Sequence, residues 1–258
     1  MSLLRIIRGI ICLVVMATTL SLQASEQATW SYAGETGPDR WAEVEKHSSC
    51  GGMSQSPVNI VKADTDPDRH DEWSLSLDYQ DGVMVNQSIN NGHTVQYDFD
   101  AGNVAVFGDT RYSLVQVHFH APSEHTINGM RYPIEMHFVH LNEDKKEYVV
   151  LGVLGYQGRP TESLNFVERY IPEVVGSQMT LAQSVDFSRL FPLGLTPRFH
   201  YRGSLTTPPC TESVNWVLFE LPVEISTQAL QKIEAAMPID NYRDAQSLNG
   251  RKVHWVVN

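Results

Sequence analysis

Two stretches decide how this chain is read: Leu114-Val-Gln-Val-His-Phe-His120 and Ile134-Glu-Met-His-Phe-Val-His-Leu-Asn142. Both are short and rich in Val, Phe and Ile, which marks them as strands. In a strand, residues two apart share a face and lie about 6.5 Å apart. His118 and His120 therefore point the same way and can converge on one cation. A turn-rich segment with Pro122, Asn128 and Gly129 follows. If the second strand returns antiparallel beside the first, one of its histidines completes a three-nitrogen cluster. His137 and His140 are an odd number of residues apart, so only one of them can face it. Three neutral imidazoles suit zinc, and three protein ligands leave a fourth position for water, the mark of a catalytic rather than a structural site. The bland reading is a chance gathering of core or surface histidines. It suffices for one His-x-His pair, but the third histidine on the next strand weighs against it.

Similar strand signals recur on either side, over residues 75–79, 83–86, 95–99, 103–107, 112–120, 134–142, 148–156 and 214–221. Gly, Asn and Asp often mark their ends, as in Asn90-Asn91-Gly92 and Gly108-Asp109. The acidic stretch 64–72 reads as a surface loop. Helical signals are fewer. Thr161 is placed to cap a helix over 162–170, and Ser226 or Thr227 one that runs to Met237 before Pro238. The pattern is a β-dominated α+β single domain with peripheral short helices, without repeats or linkers.

The 258 residues are enough for a large core, and 42% hydrophobic against 19% charged residues describes a globular chain. The first residues differ. Arg5 and Arg8 precede an apolar run and then small and polar residues, the layout of a signal peptide over residues 1–24. The apolar run is shorter than the roughly 20 residues that span a bilayer. The expected mature chain, 25–258, has seventeen Lys and Arg against thirty Asp and Glu, a net charge of −13. Such acidity disfavours nucleic acid and anionic membrane as partners. Beyond the leader no segment reads as a membrane span, and the expected location is periplasmic or secreted. The two mature cysteines, Cys50 and Cys210, fit one disulfide or two separate thiols.

Further motifs give the chain a resemblance. Gln116-Val-His-Phe-His120, Ser123-Glu-His-Thr126 and Glu135-Met-His-Phe-Val-His140 resemble the α-carbonic anhydrases. So do Tyr201-Arg-Gly-Ser-Leu-Thr-Thr-Pro-Pro209, Gln55-Ser-Pro-Val-Asn-Ile60, Asn90-Asn-Gly-His93 and Trp30-Ser-Tyr32. They stand in family order over about residues 30–255. The resemblance implies a large, mostly antiparallel twisted central sheet. It implies reversible hydration of carbon dioxide to bicarbonate by zinc hydroxide, with Zn2+ held by His118, His120 and His137. Thr206 would orient the nucleophile and pass its own proton toward Glu124, and His93 would shuttle protons to solvent. Gln116, Glu135 and Asn241 would support the ligand histidines. Val139, Val150, Leu205, Thr207, Val214 and Trp216 would line the substrate pocket. Cys50 and Cys210 match a disulfide of many exported members. Sulfonamides and anions are the expected inhibitors. A homodimer is compatible with the family, though no interface signature is visible. Ala121 and Leu141 stand where animal members often have aromatic residues, and the loops near 144–146 and 158–159 look short; both point to a bacterial-type member.

The chemistry fits those residue types. Histidine has an ordinary pKa near 6.5, so proton exchange with a water of similar acidity is nearly thermoneutral. A carboxylate on a ligand histidine's second nitrogen fixes its tautomer and raises its basicity. Two other readings remain at this level. A different zinc hydrolase would act on esters, and a binding module of the same scaffold would lack ligand histidines.

Overall fold

The computed structural model describes residues 30–68, 73–79, 82–237 and 239–257; the expected leader lies outside them. In chain order the strands are β1 (Asn59–Ile60), β2 (Asp66–Asp68), β3 (Leu75–Asp78), β4 (Val83–Asn90), β5 (Val95–Phe99), β6 (Val104–Phe107), β7 (Thr110–His120), β8 (Thr126–Ile127), β9 (Met130–Arg131) and β10 (Ile134–Asn142). They continue with β11 (Glu147–Gly158), β12 (Gln178–Val185), β13 (Arg198–Gly203), β14 (Val214–Ser226) and β15 (His254–Val256). The helices are α1 (Trp41–Val44), α2 (Asn165–Tyr170) and α3 (Thr227–Ala236).

Twelve strands make one twisted sheet, with the main order β12-β4-β5-β7-β10-β11-β14-β13-β15-β2. β6 joins the other end of β7, and β3 pairs with β6. β11–β14 and β15–β2 are parallel, and the remaining pairs in this sheet are antiparallel. The mostly antiparallel sheet with few short helices agrees with the sequence reading. The stretch 64–72 needs correction, because its middle forms β2 beside β15. A three-residue edge strand containing Pro67 carries almost no periodicity, which is why it reads as loop.

The sheet has an apolar face and a mixed face. On β10, Ile134, Met136 and Phe138 join the larger apolar core, with Val117 and Phe119 of β7 and Phe166 and Val167 of α2. Ala229, Leu230, Ile233 and Ala236 of α3 pack on the same side. Their three- and four-residue spacing gives α3 one buried stripe. Ser226 caps it, its Oγ accepting the Ala229 N–H at 3.0 Å. The helix expected over 162–170 is helical throughout, but only its later part, α2, is α-helical. Its first turn, Glu162–Leu164, is a 3-10 helix, and Thr161 does not cap it. The Thr161 hydroxyl donates instead to the Glu224 carbonyl, a partner that local sequence does not reveal.

The opposite face holds a smaller apolar cluster with Val139, Val150, Tyr201, Val214, Trp216 and Leu218. Glu135 and His137 lie on this side of β10, and Gln116, His118 and His120 on this side of β7. A register shift falls at Val139/His140, where Val139 pairs with Gln116 but His140 with Leu114. The extra residue is Val115. The bulge puts Val115 beside Gln116 and His118 on the wall of a cavity, a common use of bulges next to functional sites.

Candidate metal centre

β7 and β10 pair antiparallel, with His137 directly opposite His118 and Glu135 opposite His120. The three rings meet with centroids 4.6–5.0 Å apart. One nitrogen from each lies within 4.8 Å of the others, and no fourth His, Cys, Asp or Glu among the described residues joins this group. His140 points to the other face. Its Nε2 lies 2.6 Å from the Tyr79 hydroxyl, and its Nδ1 lies 3.0 Å from the Phe138 carbonyl. The parity of the strand separates the two histidines.

Each ring of the trio is held from behind. His118 Nδ1 lies 2.8 Å from Gln116 Oε1. His120 Nδ1 lies 2.6 Å from the Asn241 carbonyl. His137 Nε2 lies 2.8 Å from Glu135 Oε1. Those acceptors call for N–H on the bonded nitrogens, which leaves His118 Nε2, His120 Nε2 and His137 Nδ1 with lone pairs facing one another. His120 Nε2 is buried without a hydrogen-bond partner. A buried, unpartnered acceptor is costly, and a cation would satisfy all three at once. The donor set therefore fits zinc.

All three rings are kept neutral. His118 is held well below the usual histidine range by burial and by the neighbouring rings of His120 and His137. Burial pushes His120 down to about 4, partly opposed by the Asn241 carbonyl. Burial also lowers His137, while Glu135 works against it. Neutral imidazole is the form that binds metal.

Glu135 is fully buried, and buried charge survives only when well paired. Its Oε2 accepts the backbone N–H groups of Glu124 and His125 at 2.9 and 2.8 Å. Its Oε1 sits between His137 Nε2 and His125 Nδ1 at 2.8 and 2.7 Å. His125, Glu135 and His137 also lie close enough together to resemble a metal group. Those short contacts are hydrogen bonds that use the nitrogens a metal there would need.

Glu124 is also fully buried. Its Oε1 accepts the Arg243 N–H at 2.9 Å, and its Oε2 lies 3.4 Å from His120 Nε2. Burial raises its carboxyl to about 7, against the pull of His137, the Thr206 hydroxyl and the Arg243 amide.

A cavity of about 310 Å3 opens beside the trio, with His118 and His137 in its wall and His120 buried outside its lining. Its wall includes His118, His137, Val139, Val150, Leu205, Thr206, Thr207 and Trp216. Val115, Leu141 and Tyr148 also line it, and the sequence reading missed these three as pocket residues. Val115 is hidden by the bulge. Leu141 and Tyr148 pair across β10 and β11, one step out from the Val139–Val150 pair, so strand spacing could have found them. Val214 is buried in the apolar cluster behind the wall and does not line the cavity.

Asn241 acts through its backbone as well as its side chain. Beyond the carbonyl on His120, its Oδ1 accepts the Ala121 N–H and its Nδ2 donates to the carbonyls of His93 and Phe119. His93 is half-buried and follows the Asn91-Gly92 turn, with its ring stacked on Trp30 at 3.8 Å. Burial lowers its pKa. Cys50 and Cys210 form a disulfide, which fastens the end of the Thr206 loop next to Trp41. Arg243 also bonds the Cys50 carbonyl, Gln55 Oε1 and the Ser56 carbonyl; nothing local in the sequence signals that hub.

Fold and site together define a class: a sheet-built enzyme scaffold with three converging imidazoles, His120 and His137 buried and His118 partly so, two of them in the wall of a cavity. The family model for eukaryotic-type carbonic anhydrase matches residues 36–257, and the chain belongs to that family. A carbonic anhydrase of Klebsiella pneumoniae is 38% identical over 87% of this chain and 89% of its own length. One from Pectobacterium atrosepticum is 34% identical over 92% and 95%. Among solved structures, the α-carbonic anhydrase of Thermovibrio ammonificans in complex with the inhibitor sulfanilamide superposes with a TM-score of 0.78. It is 38% identical and covers 87% of this chain and 98% of its own.

Proposed function

We propose that this enzyme hydrates carbon dioxide reversibly to bicarbonate and a proton, with zinc held by His118 Nε2, His120 Nε2 and His137 Nδ1. The observation that carries the reading is the set of three ring nitrogens converging beside a cavity that His118 and His137 line, each ring held from behind by an acceptor. Zinc bound there supplies a Lewis acid that lowers the pKa of a water from 15.7 to about 7, an effect for which carbonic anhydrases are the standard illustration.

The remaining work falls to the chain. Thr206 has one hydroxyl proton. When it gives that proton to ionised Glu124, its oxygen must act as an acceptor toward the attacking hydroxide and fixes its orientation. Glu135 holds His137 in the tautomer that presents Nδ1. Val139, Val150, Leu205 and Trp216 offer carbon dioxide an apolar wall with nothing to compete for it. His93 carries the released proton toward solvent. In the same reading residues 1–24 direct export, residues 25–258 form the catalytic domain, and the disulfide suits an oxidising compartment. No helix of the described residues is long and apolar enough to cross a membrane.

The test is metal analysis together with a stopped-flow hydration assay on the purified protein. One zinc per chain and sulfonamide-sensitive hydration are expected. Stoichiometric zinc with ester hydrolysis but no hydration would replace the reading with the broader zinc-hydrolase one.

A further inference from the structure

Behind the site, a second set of buried polar groups joins two parts that the reaction needs in register. It starts at Glu135 Oε1, which holds His137 and also lies 2.7 Å from His125 Nδ1. His125 Nε2 lies 2.6 Å from the Tyr201 hydroxyl. That hydroxyl bridges on to Ser56 Oγ at 2.9 Å. Ser56 then grips Ser204 twice. Ser56 Oγ accepts the Ser204 N–H at 3.1 Å, and the Ser56 N–H donates to Ser204 Oγ at 2.9 Å. Ser204 starts the loop that carries Thr206, and its carbonyl accepts the Trp216 indole N–H at 2.9 Å.

Each side chain in this run is buried: Glu135, His125, Ser56 and Ser204 at 0% exposure, and Tyr201 at 1%. Buried polar groups cost stability unless every bond is made, and here they connect without a gap. The packing leaves no slack. A Cβ at Gly203 would lie 2.2 Å from Ser56 Oγ and 2.8 Å from the Tyr201 ring. The loop therefore cannot move on Ser56 without breaking the pair of bonds to Ser204.

We propose that Ser56, Tyr201 and His125 are positioning residues that lock the Thr206 loop to the carboxylate holding His137. The metal ligand and the nucleophile-orienting hydroxyl are then placed by one continuous hydrogen-bonded run. The inference rests on the reading of His137 as a zinc ligand. Tyr201 makes no hydrogen bond to any of the three histidines, so a purely local packing role gives it no influence on metal release.

Tyr201→Phe removes one oxygen from the middle of the run, and Ser56→Ala removes the hydroxyl that joins Tyr201 to the Ser204 N–H, leaving the Ser56 N–H bond to Ser204 Oγ in place. The measurements are the rate of zinc release into excess chelator and kcat/KM for carbon dioxide, on zinc-loaded full chain with the disulfide intact and a cooperative thermal transition. Tyr201→Phe is expected to release zinc faster by up to about ten-fold, because losing a ligand's direct outer partner costs about ten- to a hundred-fold and Tyr201 acts on that partner through His125, and to lower kcat/KM. Ser56→Ala should shift both in the same direction. Because either change already breaks the run, the double variant should release zinc no faster than the faster single variant. A wild type that holds zinc stoichiometrically, beside a Tyr201→Phe protein releasing it within two-fold of the wild-type rate, overturns the proposal alone. Multiplicative effects in the double variant do the same. A wild type that takes up no zinc overturns the ligand reading and this inference with it.

Discussion

β10 carries two histidines three residues apart, and the sheet gives them opposite lives. His137 faces a cavity, shares its neighbourhood with two other imidazoles and is oriented by a carboxylate. His140 faces the apolar core, where Tyr79 and backbone carbonyls satisfy it. Both are buried and both are kept neutral. The difference lies in the spare lone pair. On the cavity side it faces two others, whereas on the core side the Tyr79 hydroxyl takes it. Burial of a histidine therefore says little about function; where its second nitrogen points says much more.

That contrast can be broken at several points. His118→Ala should abolish both zinc content and hydration, whereas His140→Ala should keep both. Stoichiometric zinc retained by His118→Ala would remove the assigned ligand set. Next in size, Thr206→Ala should keep its metal and lose about a hundred-fold in kcat/KM, the scale of a misaligned reacting group. An unchanged rate would end the orienting role. His93→Ala should slow kcat by about ten-fold, spare kcat/KM and recover with added imidazole, since a mobile base can replace a fixed one. A variant indifferent to buffer would take His93 out of the reaction.

The smallest effect on activity, and a clear one on stability, belongs to the core side. Burial lowers His140 to about 4 in the folded protein, against about 6.5 unfolded. Between those values the unfolded chain binds a proton that the folded chain refuses. Stability is therefore full above about pH 6.5 and falls as pH drops through 4, by about 3 kcal/mol at most for this group. The facing Tyr79 phenol, pushed up by burial, stays protonated throughout. Thermal unfolding followed from pH 7 to 4 should show a shallower decline in His140→Gln than in the wild type. Equal slopes would assign the acid sensitivity to other groups.

Legibility differed between the two faces as well. β5 and β10 run over the residues that alternation predicts, 95–99 and 134–142. β12 and β13 were not visible. β12 exposes most of its polar residues at the sheet edge, and β13 buries Arg198 and His200, residue types that normally signal surface. Arg198 reaches the carbonyls of Leu195 and Trp73, and His200 that of Trp216; such partners exist only once the sheet has formed. The site shows the same limit. The motif Ser123-Glu-His-Thr126 brought Glu124 into view and left His125 without a role, because the bonds that give it one go to Glu135 and Tyr201.

The order of residues alone determined which histidines share a face. Strand geometry repeats every two residues, and no distant contact can change that parity without a bulge. It also determined the acidic surface and the residue types able to hold a metal. Tertiary structure decided everything that depends on groups far apart in the chain. Asn241 lends a backbone carbonyl to His120, Arg243 an amide to Glu124, and Ser56 a hydroxyl to the Thr206 loop. Backbone groups carry no side-chain signature, so their roles appear only when folding brings them within about 3 Å of a partner.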